Sequence, residues 1–200
     1  MAMKLYYVPR TRSARPRWLL EELGSPHELV CVDPKHKPEG FEKLHPLGHV
    51  PVLEDRGTVV FESTAICLHL ADQDPENRFA PPPGSVDRAH YYQWIFYALT
   101  EIEPQLNAIA AETLHKPPEA RSAALLEQAS GRFATAAKVL DARLAEREYL
   151  VGDRFTAADI VVGSLASWAK SMKLLGNLPA LLAYSDRLHA RPAAQRARAD

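Results

Sequence analysis

The pair Glu62-Ser63 places a carboxylate and a hydroxyl where an apolar strand pattern (58–61) gives way to helical spacing over 65–70. The N–H groups and dipole of a helix N-terminus favour an anion, and Ser63 adds a hydroxyl to them. Glu62 beside it suits an ammonium group. We therefore predict a site for an α-amino-carboxylate here. The alternative for each residue alone is a helix cap for Ser63 and a surface carboxylate for Glu62.

Pro51 marks a second segment with binding potential. It stands among the apolar residues Val50, Val52 and Leu53, but it has no N–H for a central strand and belongs at a bend. X-Pro bonds adopt the cis form far more cheaply than other peptide bonds. A cis Val50-Pro51 bond would direct the Val50 backbone outward, towards an extended ligand. Together with Glu62-Ser63, this segment favours a peptidic or γ-glutamyl ligand.

The two motifs in this order, Pro46-x-Gly48-x-Val50-Pro51-x-Leu53 and then Glu62-Ser63-x-Ala65-Ile66, resemble the glutathione-binding half of the cytosolic glutathione S-transferases. The resemblance continues to the C-terminus. It implies glutathione as co-substrate, bound by the residues His49, Val50, Pro51, Glu62 and Ser63. His49 would take the glycine carboxylate, and its alternative is an exposed loop histidine.

Catalysis on glutathione requires its thiolate, which a donated hydroxyl would stabilise. Three hydroxyls lie near the predicted first helix: Tyr7, Thr11 and Ser13. Thr11 is our first choice, because it follows the first strand as the donor does in serine-using branches of the family. The chain would then belong to a bacterial-type, serine/threonine-using branch. Tyr7, in a Tyr-x-Pro pattern, and Ser13, which also suits the helix N-cap, are the alternatives.

The periodicity predicts strand–helix–strand and then a hairpin and a helix over the first part of the chain. By the resemblance, this is an α/β thioredoxin-like domain (βαβ-ββα). The helical stripes that follow predict an all-α C-terminal domain, with a kink at Pro104 and a capping box formed by Thr156 and Asp159. The predicted boundaries are 1–76 for the first domain, 77–85 for a proline-rich linker and 86–200 for the second domain.

Composition and charge exclude several other classes. A formal net charge of −1 lacks the basic footprint of a nucleic-acid binder, and there is no apolar run long enough for a membrane span. We therefore expect a cytoplasmic protein with no nucleic-acid or membrane partner. Cys31 and Cys67 are isolated, so we predict no metal site and two buried or half-buried thiols. Three arginines, Arg10, Arg12 and Arg15, lie near the binding site. They could bind an acidic co-substrate, but we predict that they lie in solvent.

The resulting prediction is a glutathione transferase that activates the thiol for attack on a small hydrophobic electrophile, as in detoxification. The alternatives are a glutathione-dependent isomerase, a thiol-disulfide reductase, or a non-catalytic glutathione-binding or assembly module. A reductase is disfavoured, because the turn at 9–13 has no cysteine. The resemblance also implies a homodimer.

Overall fold

The first part of the chain forms a four-stranded mixed sheet covered by helices, in a computed structural model that describes residues 3–199. The strands stand in the order β2-β1-β3-β4; β1 and β2 are parallel, and β3 is antiparallel to β1 and β4. Their bounds are β1 Met3–Tyr7, β2 His27–Cys31, β3 Val52–Asp55 and β4 Thr58–Phe61, with helices α1 Ala14–Leu23 and α2 Ser63–Asp72. The predicted thioredoxin-like arrangement is confirmed.

Four chain segments meet at one end of this sheet. The last residue of β1, Tyr7, pairs with the last residue of β2, so the loops after both strands leave at the same end. Because β3 runs antiparallel, its first residue, Val52, lies opposite Tyr6 and Phe61 at that end. The segment entering β3 and the start of α2 after β4 are therefore brought to the same place.

Helix α1 connects the two parallel strands and buries Trp18, Leu19 and Leu20. It ends at Gly24, whose φ of 64° is left-handed and whose N–H donates to the Leu20 carbonyl. A glycine adopts this conformation without a Cβ penalty, which suits it to end the helix.

The second part of the chain is helical, as predicted. Its helices are α3 Val86–Tyr97, α4 Glu103–Thr113, α5 Ala123–Leu144, α6 Ala157–Ser171, α7 Pro179–His189 and α8 Pro192–Arg196. A π-helical turn, Ala98–Ile102, separates α3 from α4. The break therefore lies just before Pro104, which sits in the first turn of α4, where a missing N–H costs no helical hydrogen bond.

Helix α6 begins with the predicted capping box. The Thr156 side chain accepts from the backbone of Asp159, and the Asp159 carboxylate accepts from the Thr156 N–H. Both residues are fully buried. A local exchange of hydrogen bonds thus satisfies N–H groups at the helix start.

The chain forms two compact units, Met1–Ala80 with His189–Asp200, and Pro81–Leu188. The grouping differs from the predicted domain division at the C-terminal end. Arg191 binds Glu22 through two nitrogens at 2.6 and 2.8 Å, and Arg196 binds Glu21 at 2.6 Å. These ion pairs attach the last residues to α1, a contact between distant segments that periodicity does not reveal.

No helix within residues 3–199 has the length and apolar character needed to cross a membrane. The two cysteines differ in environment. Cys67 is buried as predicted, and burial raises the pKa of its thiol to about 12. The prediction for Cys31 is wrong, because this residue ends β2 in an exposed position.

Candidate functional site

A cavity of about 470 Å³ lies at the end of the sheet where the four segments meet. This volume falls within the usual range of small-molecule sites. The lining residues all belong to the first compact unit. They are Val8, Thr11, Arg12, Val32, Pro34, Lys37, His45, Gly48, His49, Val50, Pro51, Glu62 and Ser63.

The five residues predicted to bind the ligand all line this cavity. They are His49, Val50, Pro51, Glu62 and Ser63. The Val50-Pro51 bond is cis, the isomer that the sequence pattern suggested. Two segments separated by the β3-β4 hairpin therefore meet at one cavity.

Ser63 is the first residue of α2, and Glu62 precedes it with a φ of 71° and no side-chain cap. This left-handed conformation costs a non-glycine residue about 1–3 kcal/mol and is typical of functional sites. It leaves the first N–H groups of α2 without a side-chain acceptor from Glu62. The buried Ser63 side chain is therefore placed beside a helix N-terminus that favours an anion.

Arg15 contradicts the expectation that it lies in solvent. It is only 3% exposed, and its Nη1 donates to Ser63 Oγ at 3.3 Å. The guanidinium therefore adds positive charge behind Ser63. Of the other two arginines, Arg10 is exposed as expected, and Arg12 is exposed but also lines the cavity.

Thr11 lines the cavity and is linked to Ser13 by a short hydroxyl network. Thr11 Oγ1 lies 2.7 Å from the Val8 carbonyl and 2.9 Å from Ser13 Oγ, and it accepts from the Ser13 N–H at 3.2 Å. Each hydroxyl has one proton, so Thr11 donates to only one of these acceptors at a time. When Thr11 donates elsewhere, Ser13 can donate to Thr11.

Ser13 and Tyr7 do not line the cavity. Ser13 is 1% exposed and occupies the N-cap position of α1, as the sequence suggested, but its side chain forms no cap hydrogen bond. Its Oγ instead accepts from the Val8 N–H at 3.4 Å and contacts Thr11. The Tyr7 ring lies beneath the Arg17 guanidinium, 5.1 Å from its carbon.

The loop side of the cavity is rich in basic residues. Arg12, Lys37 and His49 line it, whereas Glu62 is the one carboxylate among the lining residues. Gly48 has a φ of +62°, and a Cβ added there would lie 3.3 Å from Lys37 Nζ. A glycine at this position therefore leaves room for the ammonium beside His49.

His45 is a lining residue that the sequence did not single out. It is 3% exposed, and its ring lies 4.8 Å from Phe61 and 5.3 Å from His49, centroid to centroid. Its Nδ1 accepts the Leu47 N–H at 3.1 Å. Because Nδ1 accepts this bond, it carries a lone pair and the ring is neutral. Burial, followed by the nearby charge of His49, lowers the pKa of His45, whereas the charge of Glu62 raises it.

Lys37 was also not predicted, and nothing in the polar loop after β2 distinguishes it from Lys35. Within residues 3–199, no group of three or more His, Cys, Asp or Glu side chains is arranged to hold a metal ion. The cavity lining itself offers hydroxyls, cations, imidazole rings, one carboxylate and the N-terminus of α2.

Comparisons with known proteins agree with this architecture. The family model for the glutathione S-transferase N-terminal domain matches residues 11–73, and that for the C-terminal domain matches residues 98–192. A glutathione transferase from Methylococcus capsulatus strain Bath is 33% identical, with a TM-score of 0.86 over 99% of this chain and 98% of that one. This chain belongs to the glutathione S-transferase family.

Two other glutathione S-transferases are similar along almost the whole chain. GstA of Escherichia coli O157:H7 is 29% identical over 96% of both chains. A sphingomonad glutathione S-transferase, solved in complex with glutathione, is 30% identical, with a TM-score of 0.85 over 98% of this chain and 97% of that one. The family assignment is confirmed, whereas the serine/threonine-using branch stays a prediction.

Proposed function

We propose that the protein is a glutathione transferase of the serine/threonine-using branch. It would bind glutathione as co-substrate and activate the thiol for attack on a small hydrophobic electrophile. The observation that carries this proposal is the convergence of Thr11 with the five predicted binding residues on one cavity. The glutathione bound in the sphingomonad relative supports the same ligand here.

The chemistry of the cavity suits the parts of the tripeptide. The hydroxyl of Ser63 and the N-terminus of α2 would hold the γ-glutamyl carboxylate, and Glu62 its ammonium. The backbone of Val50, before Pro51, would pair with the extended peptide. His49 would face the glycine carboxylate at the basic side of the cavity.

Thr11 would donate to the sulfur and so favour the thiolate over the thiol. Its proton would then turn from the Val8 carbonyl to the sulfur. Ser13 can donate to Thr11 Oγ1 in that state, because the two oxygens are 2.9 Å apart. Such a chain of two hydroxyls polarises the outer one and strengthens its bond to an anion.

In the reaction, the thiol loses its proton and the thiolate electron pair forms a bond to the electrophilic carbon. With an aryl halide, the halide departs with the electrons of its bond to carbon.

The sequence alternatives, an isomerase, a reductase or a non-catalytic module, predict different outcomes. Retention on a glutathione column with no turnover of a dinitrophenyl halide or other electrophiles would favour the binding module. Failure to bind glutathione would exclude the transferase.

Thr11→Ala tests the activating group. We expect the pKa of bound glutathione to rise by about 1–2, because a hydrogen bond to an anion is lost. Ultraviolet titration of the bound thiolate measures this pKa. Thr11→Ser is the matched control and should keep the low value, whereas Tyr7→Phe should leave it unchanged. A raised pKa in Tyr7→Phe, with Thr11→Ala unaffected, would assign the role to Tyr7.

We also propose that the protein is a two-fold homodimer, as the family resemblance implied. Large apolar side chains are exposed in both units, including Phe61 on the edge strand β4 and Phe96 on α3, at 40% and 58% exposure. A second copy covering such residues would remove apolar surface from water. Sedimentation that shows only monomer at micromolar concentration would contradict this proposal. The cytoplasmic location and a role in detoxification stay predictions.

A further inference from the structure

His45 has one ring nitrogen whose partner is fixed by the backbone. Nδ1 accepts the Leu47 N–H at 3.1 Å, within a turn closed by the Gly48 N–H and the His45 carbonyl at 2.7 Å. A backbone N–H can only donate, so Nδ1 carries a lone pair. The proton of the neutral ring is therefore on Nε2.

The Nε2–H of His45 is an open donor. Within residues 3–199, the bond with Leu47 is the one hydrogen bond that the His45 side chain makes. Nε2 is not among the fully enclosed polar atoms that lack a partner, and His45 lines the cavity. A side chain that is 3% exposed thus keeps a donor that can be reached from the cavity.

The groups around this donor are mostly basic, although the Glu62 carboxylate is also close enough for its charge to act on the ring. The His49 ring lies beside the His45 ring, and Lys37 Nζ lies next to Gly48 in the same turn. Lys37 attracts a carboxylate electrostatically and the His49 ring can donate a hydrogen bond to it, but both side chains are exposed to solvent. The buried His45 ring is held more rigidly, between Phe61, His49 and the Leu47 N–H.

We propose that His45 is a specificity-determining residue whose Nε2–H donates to the glycine carboxylate of glutathione. This inference rests on the proposed function and extends it to a residue outside the family motif. A ligand without that carboxylate would leave a buried donor poorly paired, which a site built around a hydrogen bond penalises strongly. His45 would therefore distinguish glutathione from peptides modified at the glycine end.

Two substitutions separate the donor from the structural role of the ring. Asn, in His45→Asn, can place its Oδ1 where Nδ1 accepts the Leu47 N–H, but it has no donor at the position of Nε2. Gln, in His45→Gln, can reach the position of Nε2 with its amide but gives up the bond to Leu47. A donor role predicts that Asn is the more harmful change, and a role in organising the loop predicts the reverse.

Calorimetry with glutathione and with its glycyl ethyl ester provides the test. We expect His45→Asn to bind glutathione about 10-fold more weakly than the wild type while its affinity for the ester changes little. His45→Gln should keep most of the preference for glutathione. This double-mutant cycle cancels the contributions of Lys37 and His49, which are present in both proteins.

Three results would contradict the proposal. Unchanged glutathione affinity in a folded His45→Asn variant would overturn it, as would equal losses for glutathione and the ester. A larger loss in His45→Gln than in His45→Asn would assign His45 to loop structure. Failure of the wild type to bind glutathione would instead overturn the proposed function, and this inference with it.

Discussion

Asp159 and His45 are buried polar side chains in the two different units, and they use their hydrogen-bonding capacity differently. Asp159 is fully buried and accepts from Leu150 N at 3.0 Å, Thr156 N at 2.8 Å, Thr156 Oγ1 at 3.0 Å and Tyr184 Oη at 2.9 Å. His45 uses one nitrogen and keeps the other open to a cavity. A fully paired buried group stabilises the fold, whereas an open one beside a cavity is available to a ligand.

The comparison predicts that substituting a fully paired buried group lowers the stability of the fold. Substituting a group that is open to the cavity should instead weaken ligand binding. Burial raises the pKa of Asp159, and the bonds from Leu150 and Thr156 oppose that rise. Those donors would be left buried without an acceptor if the carboxylate were removed. Ser63 and His45 each accept one internal hydrogen bond, from Arg15 and from the Leu47 N–H, so fewer donors depend on either residue than on Asp159.

The largest expected effect is that of Asp159→Ala. We expect the free energy of unfolding to fall by about 3–5 kcal/mol, because several buried donors lose their acceptor together. Urea unfolding followed by circular dichroism measures it. Tyr184→Phe removes one of these donors and should cost only about 1–2 kcal/mol. If the free energy of unfolding of Asp159→Ala is within about 1 kcal/mol of the wild-type value, the hydrogen bonds to Asp159 do not stabilise the fold as we expect.

Ser63→Ala should have the opposite profile. We expect glutathione affinity to fall about 10-fold through loss of a donor to the carboxylate. The free energy of unfolding should fall by only about 1 kcal/mol, because one donor, Arg15 Nη1, loses an acceptor. Calorimetry and urea unfolding measure the two quantities. Ser85 is a matched control, since its Oγ accepts the Arg88 N–H at 3.2 Å as the cap of α3. Ser85→Ala should cost about 1 kcal/mol of stability and leave affinity unchanged.

The smallest effect should be that of Asp74→Asn, which extends the comparison to a paired carboxylate in the first unit. Hydrogen bonds from Arg78 hold the pKa of Asp74 below its ordinary value, with Arg78 N at 2.7 Å and Nη2 at 2.8 Å. Because the pKa of Asp74 is lower in the folded state, its charge stabilises the fold fully at pH values above the unfolded-state pKa of about 3.9. This stabilisation is lost as the pH falls through the folded-state pKa.

At pH 7, Asp74→Asn should therefore be less stable than the wild type by about 1 kcal/mol, and the difference should shrink towards pH 3. Thermal unfolding across this pH range measures the difference. Glutathione affinity at pH 7 should be the same in both proteins. A difference that stays constant with pH would indicate that the Asp74 charge contributes nothing.

The features that the sequence predicted correctly depend on neighbouring residues. Pro51 and the pair Glu62-Ser63 define their bend and helix start from the residues beside them, and the Thr156-Asp159 box spans four residues. Ser13 occupies the N-cap position that its neighbours suggested, but its hydroxyl pairs with Thr11 and the Val8 N–H instead of with the helix. The local sequence pattern suggests a position for a side chain, and the hydrogen-bond partners available in the fold determine which bonds it forms.

The features that the sequence missed depend on distant partners. Arg15 is buried because it reaches Ser63, 48 positions later. His45 looked like any loop histidine, since its tautomer follows from the direction of the Leu47 N–H. The periodicity of one segment reveals neither the direction in which a backbone N–H points nor which two helices pack together.

The ion pairs of Arg191 and Arg196 with Glu22 and Glu21 have a consequence for fragments of this protein. A piece that stops at Ala80 would present both carboxylates of α1 to water and would lack the His189 ring, 5.3 Å from Trp18. Recombination between related genes at that boundary would likewise separate α1 from the cations it is matched to. The unit that can be exchanged intact is therefore the first eighty residues together with the last twelve.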